Sequence, residues 1–174
     1  MTDRAIYHKM IEIVDKLDRI NQYQSIDGFI RDLEYHVDQL DYFYNVLTSK
    51  GSGDPSTTFY LPKHIPNEHQ VAYFNLTRGF PKELYGGHWC YVYKRLKTKL
   101  LVIPMTSVKE DSAEIDPEFE LDIKIKEFKN SNLARLQLSD MRTIDIQRLY
   151  IKKGFYDVET KREDIIAHMK NFLL

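Results

Sequence analysis

The sequence predicts an α+β protein: a helical hairpin, then a small antiparallel sheet bent toward a barrel, then a closing helix. Three patterns predict it. Apolar residues recur at helical spacing through the first fifty positions. The period then falls to two in several short runs separated by turn residues. Helical spacing returns over the last stretch of the chain. The domain reading is 1–50 as a coiled-coil-like helical hairpin, 51–66 as a linker, and 67–174 as the barrel with its C-terminal helix.

In the first helix Ile6, Met10, Ile13, Leu17 and Ile20 follow a 4-3-4-3 spacing. In the second, Ile26, Ile30, Leu33, Val37, Leu40, Tyr44 and Leu47 continue it, so each helix carries one apolar seam. The short polar link Asn21–Ser25 favours an antiparallel hairpin packed within the chain. Ser25 or Asp27 suits the cap of the second helix, and Gly51 suits its end. Gly51–Pro66 is rich in Gly, Pro, Ser and Thr and reads as the linker.

Beyond it, Val71–Leu76 reads as a strand and Arg78–Gly87 as a glycine-bearing loop. His88–Lys94 and Lys99–Met105 read as strands joined by a tight basic turn near Arg95–Thr98. Phe119–Ile125 alternates strictly, as a half-buried strand does. Leu133, Leu136 and Leu138 suggest another strand, Met141–Leu149 a further short element, and Glu159–Leu174 the closing helix. Short strands this close in sequence argue for a strongly bent sheet or barrel.

The composition, 43% hydrophobic and 29% charged in 174 residues, is that of a globular chain and argues against disorder. Apolar runs such as Leu100–Ile103 are far short of the ~20 residues of a membrane-spanning helix. The polar start (Thr2, Asp3, Arg4) is not that of a secretory signal. A single cysteine, Cys90, excludes an intrachain disulfide framework and fits a reducing cytoplasm. The net charge of −1 hides an uneven distribution: residues 59–109 hold 8 Lys/Arg against 2 Asp/Glu. A basic middle suits a polyanion, although a solvated strand face has the same composition.

No P-loop, dinucleotide fingerprint, HExxH pair or GxSxG elbow is present. His64, Glu68 and His69 cluster in loop-like sequence, which reads as surface rather than as a metal site, so no metal and no cofactor are expected. Two stretches carry possible chemistry: the loop and strand from Arg78 to Val92, and the strand Val102–Ser107 that ends in two hydroxyls. Antiparallel pairing brings the start of the first strand, His88, to the end of the second, Thr106. Histidine titrates near neutrality, a threonine hydroxyl can bond a phosphate oxygen, and Arg78 and Lys82 can attract a polyanion. Tyr85 and Trp89 are rings that suit base stacking or core packing equally. Arg142 can serve a site or pair with a neighbouring carboxylate, whereas Arg148 reads as structural.

Glu83, Gly86, His88 and Cys90-Tyr91-Val92, then Val102–Ser107, then Arg142–Leu149 together resemble the PemK/MazF family of toxin endoribonucleases. The third segment, Arg-Thr-Ile-Asp-Ile-Gln-Arg-Leu, is the most specific, and the likeness spans roughly residues 70–150. The resemblance implies an SH3-like barrel, usually a homodimer, that cuts single-stranded RNA without metal and is inhibited by a protein antitoxin. It implies catalysis by Thr106 and by the residue at the family's arginine position, here His88, with Trp89 at the following proline position. Arg78, Lys82, Glu83, Ser107 and Arg142 would line the substrate. The expected partners are therefore single-stranded RNA and an antitoxin, with no membrane. Two other readings stand beside it. One is a barrel that binds nucleic acid or a protein segment without cleaving. The other makes the hairpin a scaffold or built-in inhibitor.

Overall fold

The computed structural model describes residues 3–20, 26–47, 62–77, 79–80, 82–128 and 132–174. The Asn21–Ser25 link with its proposed Ser25 cap, Gly51, most of the linker and Arg78 lie outside the described residues. The chain is α+β. Helices α1 (Asp3–Asp18) and α2 (Ile26–Asp41) come first, and a π-helical turn, Tyr42–Leu47, prolongs α2. Seven strands follow: β1 Gln70–Asn75, β2 Gly87–Leu96, β3 Lys99–Ser107, β4 Glu120–Lys124, β5 Leu133–Gln137, β6 Arg142–Asp145 and β7 Tyr156–Asp157. Helix α3, Arg162–Leu173, closes the chain. Among the described residues no helix is long and apolar enough to cross a membrane.

All pairings between these strands are antiparallel, in the order β4-β5-β3-β2-β1-β7. Strand β3 is the pivot. Its first half, Lys99–Val102, pairs with β6, and its last residues, Met105–Ser107, pair with β5. The interval between the two registers is Ile103-Pro104, opposite a 3-10 turn at Leu138–Asp140. Proline has no N–H to offer a ladder, so it is suited to the place where the partner strand is interrupted.

The sheet curls into a half-barrel, and its two outer strands are tied by an isolated bridge, Ile125↔Val158. Lys126 N donates to Asp157 O and Glu159 N to Lys124 O on either side of that bridge. One apolar cluster fills the concave side: Val71, Tyr91, Ile103, Met105, Ile123 and Leu136, with Ile165 and Met169 of α3 closing it. A second cluster lies on the opposite face of β1–β3, where Phe74, Cys90, Val92 and Val102 pack under Ile144, Ile146 and Leu149. Alternation along β2 sorts the residues: Trp89 and Tyr91 go to the first cluster, Cys90 and Val92 to the second. Both faces of this sheet are thus covered, which is why β2 and β3 read as nearly continuous apolar runs.

The sequence missed β7, because two residues carry no periodicity. It also extended α2 as a regular helix through Leu47, where the chain takes π winding. The basic turn between β2 and β3 is where expected, with Lys97 in left-handed conformation at φ 47. The end of the predicted linker packs on the sheet, since Pro62 and Pro66 are buried and Ile65 joins the second cluster. Ile165 is fully buried and fills the mouth of the half-barrel. Ile165→Ala should therefore cost about 2–4 kcal/mol of stability by removing packed methylenes and leaving a cavity. Urea unfolding measures it, and a loss under ~0.5 kcal/mol would show that α3 does not seal the core.

Candidate active site on the outer face of the sheet

The glycine-bearing loop between β1 and β2 is pinned at its base. Leu76 N donates to Gly86 O at 2.7 Å and Gly86 N to Thr77 O at 2.9 Å. Gly86 takes φ +72, a conformation that suits glycine, and Thr77 N is held by Asn75 Oδ1 at 2.9 Å. Gly87 admits the Tyr73 ring so closely that any Cβ there would collide with it. These constraints deliver His88 as the second residue of β2.

His88 pairs with Phe74 on β1. On its other side the register Cys90↔Pro104, continued by two residues, sets His88 opposite Thr106. Thr106 in turn faces Arg135, and Arg135 faces Asp122. One row thus crosses the sheet on its outer face, running Phe74, His88, Thr106, Arg135, Asp122. Residues opposed across antiparallel strands stand about 5 Å apart, within reach of one small ligand group. Both His88 and Thr106 are half-buried, neither sealed inside nor fully solvated.

Burial lowers the pKa of the His88 imidazole below 6.5. The carbonyls of Met105 and Tyr85 and the carboxylate of Asp140 pull the other way, and Arg142 adds to the depression. The ring is therefore mostly neutral at pH 7, the state a general base needs. Arg142 is half-buried on β6, opposite Val102. Its guanidinium donates to Asp140 Oδ1 at 2.7 Å and to Asp140 O at 3.1 Å. Asp140 also accepts from Leu84 N at 3.0 Å, so the 3-10 turn opposite Pro104 clamps the loop beside His88.

Other expected lining residues fall differently. Ser107 is exposed and pairs with Ala134, and strand alternation turns it to the face opposite Thr106. Glu83 is spent on its own loop: its carboxylate accepts from Phe80 N at 2.9 Å and packs against Gly79. Lys82 is exposed in the same loop. The lysines and arginine of residues 94–99 sit at the opposite end of β2 and β3 from His88. There Arg95 donates to Asn67 Oδ1, and Glu68 pairs with Arg162 at 2.6 Å. His69 meets the Tyr91 hydroxyl at 3.1 Å, and no metal-ligating group of three occurs among the described residues. Trp89 packs edge-on against Tyr73, Phe128 and Tyr156 at 5.0–5.4 Å, a core role. Arg148 donates to Asn75 O at 3.2 Å, as its structural reading expects.

Sequence reasoning missed Arg135. It is 8% exposed, bonds Asp122 through Nε (2.8 Å) and Nη2 (3.2 Å), and donates to Ala113 O at 2.7 Å. The available signal was a pair of opposite charges at outward-reading positions of two neighbouring strands, Asp122 and Arg135, which antiparallel pairing can set side by side. Also missed was the flank formed by α2. Asp32 lies beside Gly86, Gln39 Oε1 accepts from Asn75 Nδ2 at 2.9 Å, and Tyr35 stacks on Tyr150.

No protein-family model matches the chain, and no curated protein matches it either. The likeness to the PemK/MazF family therefore rests on the motifs quoted above.

A depressed histidine stabilises the fold above its unfolded-chain pKa and withdraws that stability as the pH falls. The His88 ring should titrate below 6.5, and unfolding free energy should drop as pH falls from 6.5 through that midpoint. Proton NMR of the ring against pH checks it; a midpoint above 6.5 contradicts the burial account.

Proposed function

We propose that the chain is an endoribonuclease that cleaves single-stranded RNA without metal, with His88 and Thr106 at its centre. The observation that carries this is the row on the outer face, in which a neutral imidazole and a hydroxyl stand on neighbouring strands beside the Arg142 guanidinium. The RNA 2′-hydroxyl attacks the adjacent phosphorus as its proton passes to His88. The bond from phosphorus to the 5′-oxygen breaks as the leaving oxygen takes a proton from solvent water, giving a 2′,3′-cyclic phosphate and a 5′-hydroxyl, and His88 returns its proton to solvent. Thr106 donates to a non-bridging oxygen, and Arg142 offsets the charge that develops there. Histidine in place of the family's arginine supplies a proton carrier where a fixed charge would otherwise stand. Within this reading the chain is the toxin of a toxin–antitoxin pair, working in the cytoplasm as a homodimer on an SH3-like barrel, with a protein antitoxin as its inhibitor. Arg78 and Lys82 contribute charge to the RNA path.

One observation favours the second reading, a binder that does not cut. Arg142 is already clamped by Asp140, and Asp140 by the loop, so the site's main cation has an internal partner. The two readings separate in one assay with labelled single-stranded RNA in the presence of chelator. The nuclease should yield cyclic-phosphate ends, with His88→Ala and Thr106→Ala each lowering the rate by about 100-fold or more. Retention of RNA with no product in the unaltered protein would overturn the nuclease in favour of the binder.

A further inference from the structure

Helix α2 meets the sheet with its less apolar side. Gly28, Asp32, Tyr35 and Gln39 turn toward it, as does Phe43 in the π turn that follows. Of the heptad seam, Ile30, Leu33 and Val37 lie on the other side and Leu40 at its border, beside a cavity shared with Gln147 and Arg148; all four are 38–52% exposed. Helix α1 buries no residue; Ile6 and Met10 of its seam, and Ile20 just beyond the helix, are 43–48% exposed, and Ile13 and Leu17 are half-buried. A strict two-in-seven seam is the pattern of helices that pair with helices rather than of one resting on a sheet.

The charges beside the seams choose the pairing. In α1, Lys9 and Lys16 immediately precede the seam residues Met10 and Leu17. In α2, Glu34 and Asp41 immediately follow Leu33 and Leu40. Flanking positions of these two kinds face each other only between parallel helices. Aligning Met10 with Ile30 then sets Lys9 by Glu34, Lys16 by Asp41, Ile13 by Leu33 and Leu17 by Val37. In an antiparallel pair the lysines would instead face Phe29, His36 and Phe43, and the acids Tyr7 and Val14. The present Lys9–Glu12 pair at 2.9 Å is more than half exposed on both sides, so it competes weakly.

Parallel pairing within one chain exceeds the reach of the link. Arg19 N and Ile20 N still bond back to Lys16 O and Leu17 O, which leaves only the steps from Ile20 to Ile26. These must retrace about 21 Å of helix and cross about 9 Å between axes, roughly 23 Å in all. Six residues span at most about 20–22 Å.

We infer that the helical arm is a dimerisation element in which α1 of one copy lies parallel in the α2 seam of a second copy, and reciprocally. The pairing goes beyond the ribonuclease reading and stands whether or not the barrel cuts RNA. Reciprocity closes the assembly as a two-fold dimer and buries all four exposed seams.

Two charge-reversed full-length variants test it. One carries Lys9→Glu with Lys16→Glu, the other Glu34→Lys with Asp41→Lys. The unaltered protein should sediment as a dimer. Each variant alone should show a dimer Kd raised about tenfold or more, because every flanking pair becomes repulsive. An equal mixture should form a heterodimer, because both pairings are attractive again. Single-cysteine arms guard against altered folding: Met10→Cys in one copy should form a disulfide with Ile30→Cys in another when the two are mixed. A monomeric unaltered protein, variants that dimerise as well as it does, or a mixture in which no Met10→Cys to Ile30→Cys disulfide forms between copies would each overturn the inference.

Discussion

A single strand changes partner along one of its edges, and the rest of the structure depends on how it does so. Strand β3 gives one edge to β2 along most of its length, and divides the other between β6 and β5. The division falls at Ile103-Pro104, where the ladder lapses and the facing chain makes a 3-10 turn. That lapse lets β5 and β4 swing over the concave side and enclose Tyr91, Ile103 and Met105. The same turn projects Asp140 onto Arg142 and Leu84. One backbone irregularity thus shapes the core and clamps the loop beside His88.

The outer face of that sheet is an unusual place for polar side chains, since most of it is packed. Arg135 remains there because it has two carboxylates and a carbonyl. Histidine can remain there at low cost because it can give up its charge, and burial makes it do so. A neutral imidazole next to a hydroxyl is a chemical opportunity that a lysine or arginine at the same depth would not provide. Pairing Arg142 with Asp140 keeps that cation beside the row without leaving it uncompensated. The neighbouring flank of α2 reaches the loop through Asp32 and the end of β1 through Gln39. The arm and the row through His88 and Thr106 therefore share a border.

The strands were legible where burial leaves a period-two trace. Phe119–Ile125 and Lys99–Met105 were readable because their alternating or continuous apolar residues are the ones the core takes up. The two-residue β7 was not legible, because its pairing with Gln70-Val71 is made by backbone atoms of unremarkable residues. Within the site, His88 opposite Thr106 followed from strand order and antiparallel pairing. Glu83 did not follow: its carboxylate folds its own loop, and an exposed acid looks the same in sequence whichever task it performs. Ser107 shows the opposite limit, because next to Thr106 in sequence means the other face in a strand.

By itself the sequence determined the α+β class, the order of the elements, the glycine-bearing loop before β2 and the seams of both N-terminal helices. All of these are properties of neighbouring residues, written in periodicity and turn chemistry. Only the tertiary structure decided which seam stays uncovered, where β3 changes partner, and that Asp140 and Arg135 stand beside His88 and Thr106. Those outcomes depend on contacts between residues tens of positions apart. No local pattern encodes them, because the free energy that selects them comes from burying whole surfaces at once.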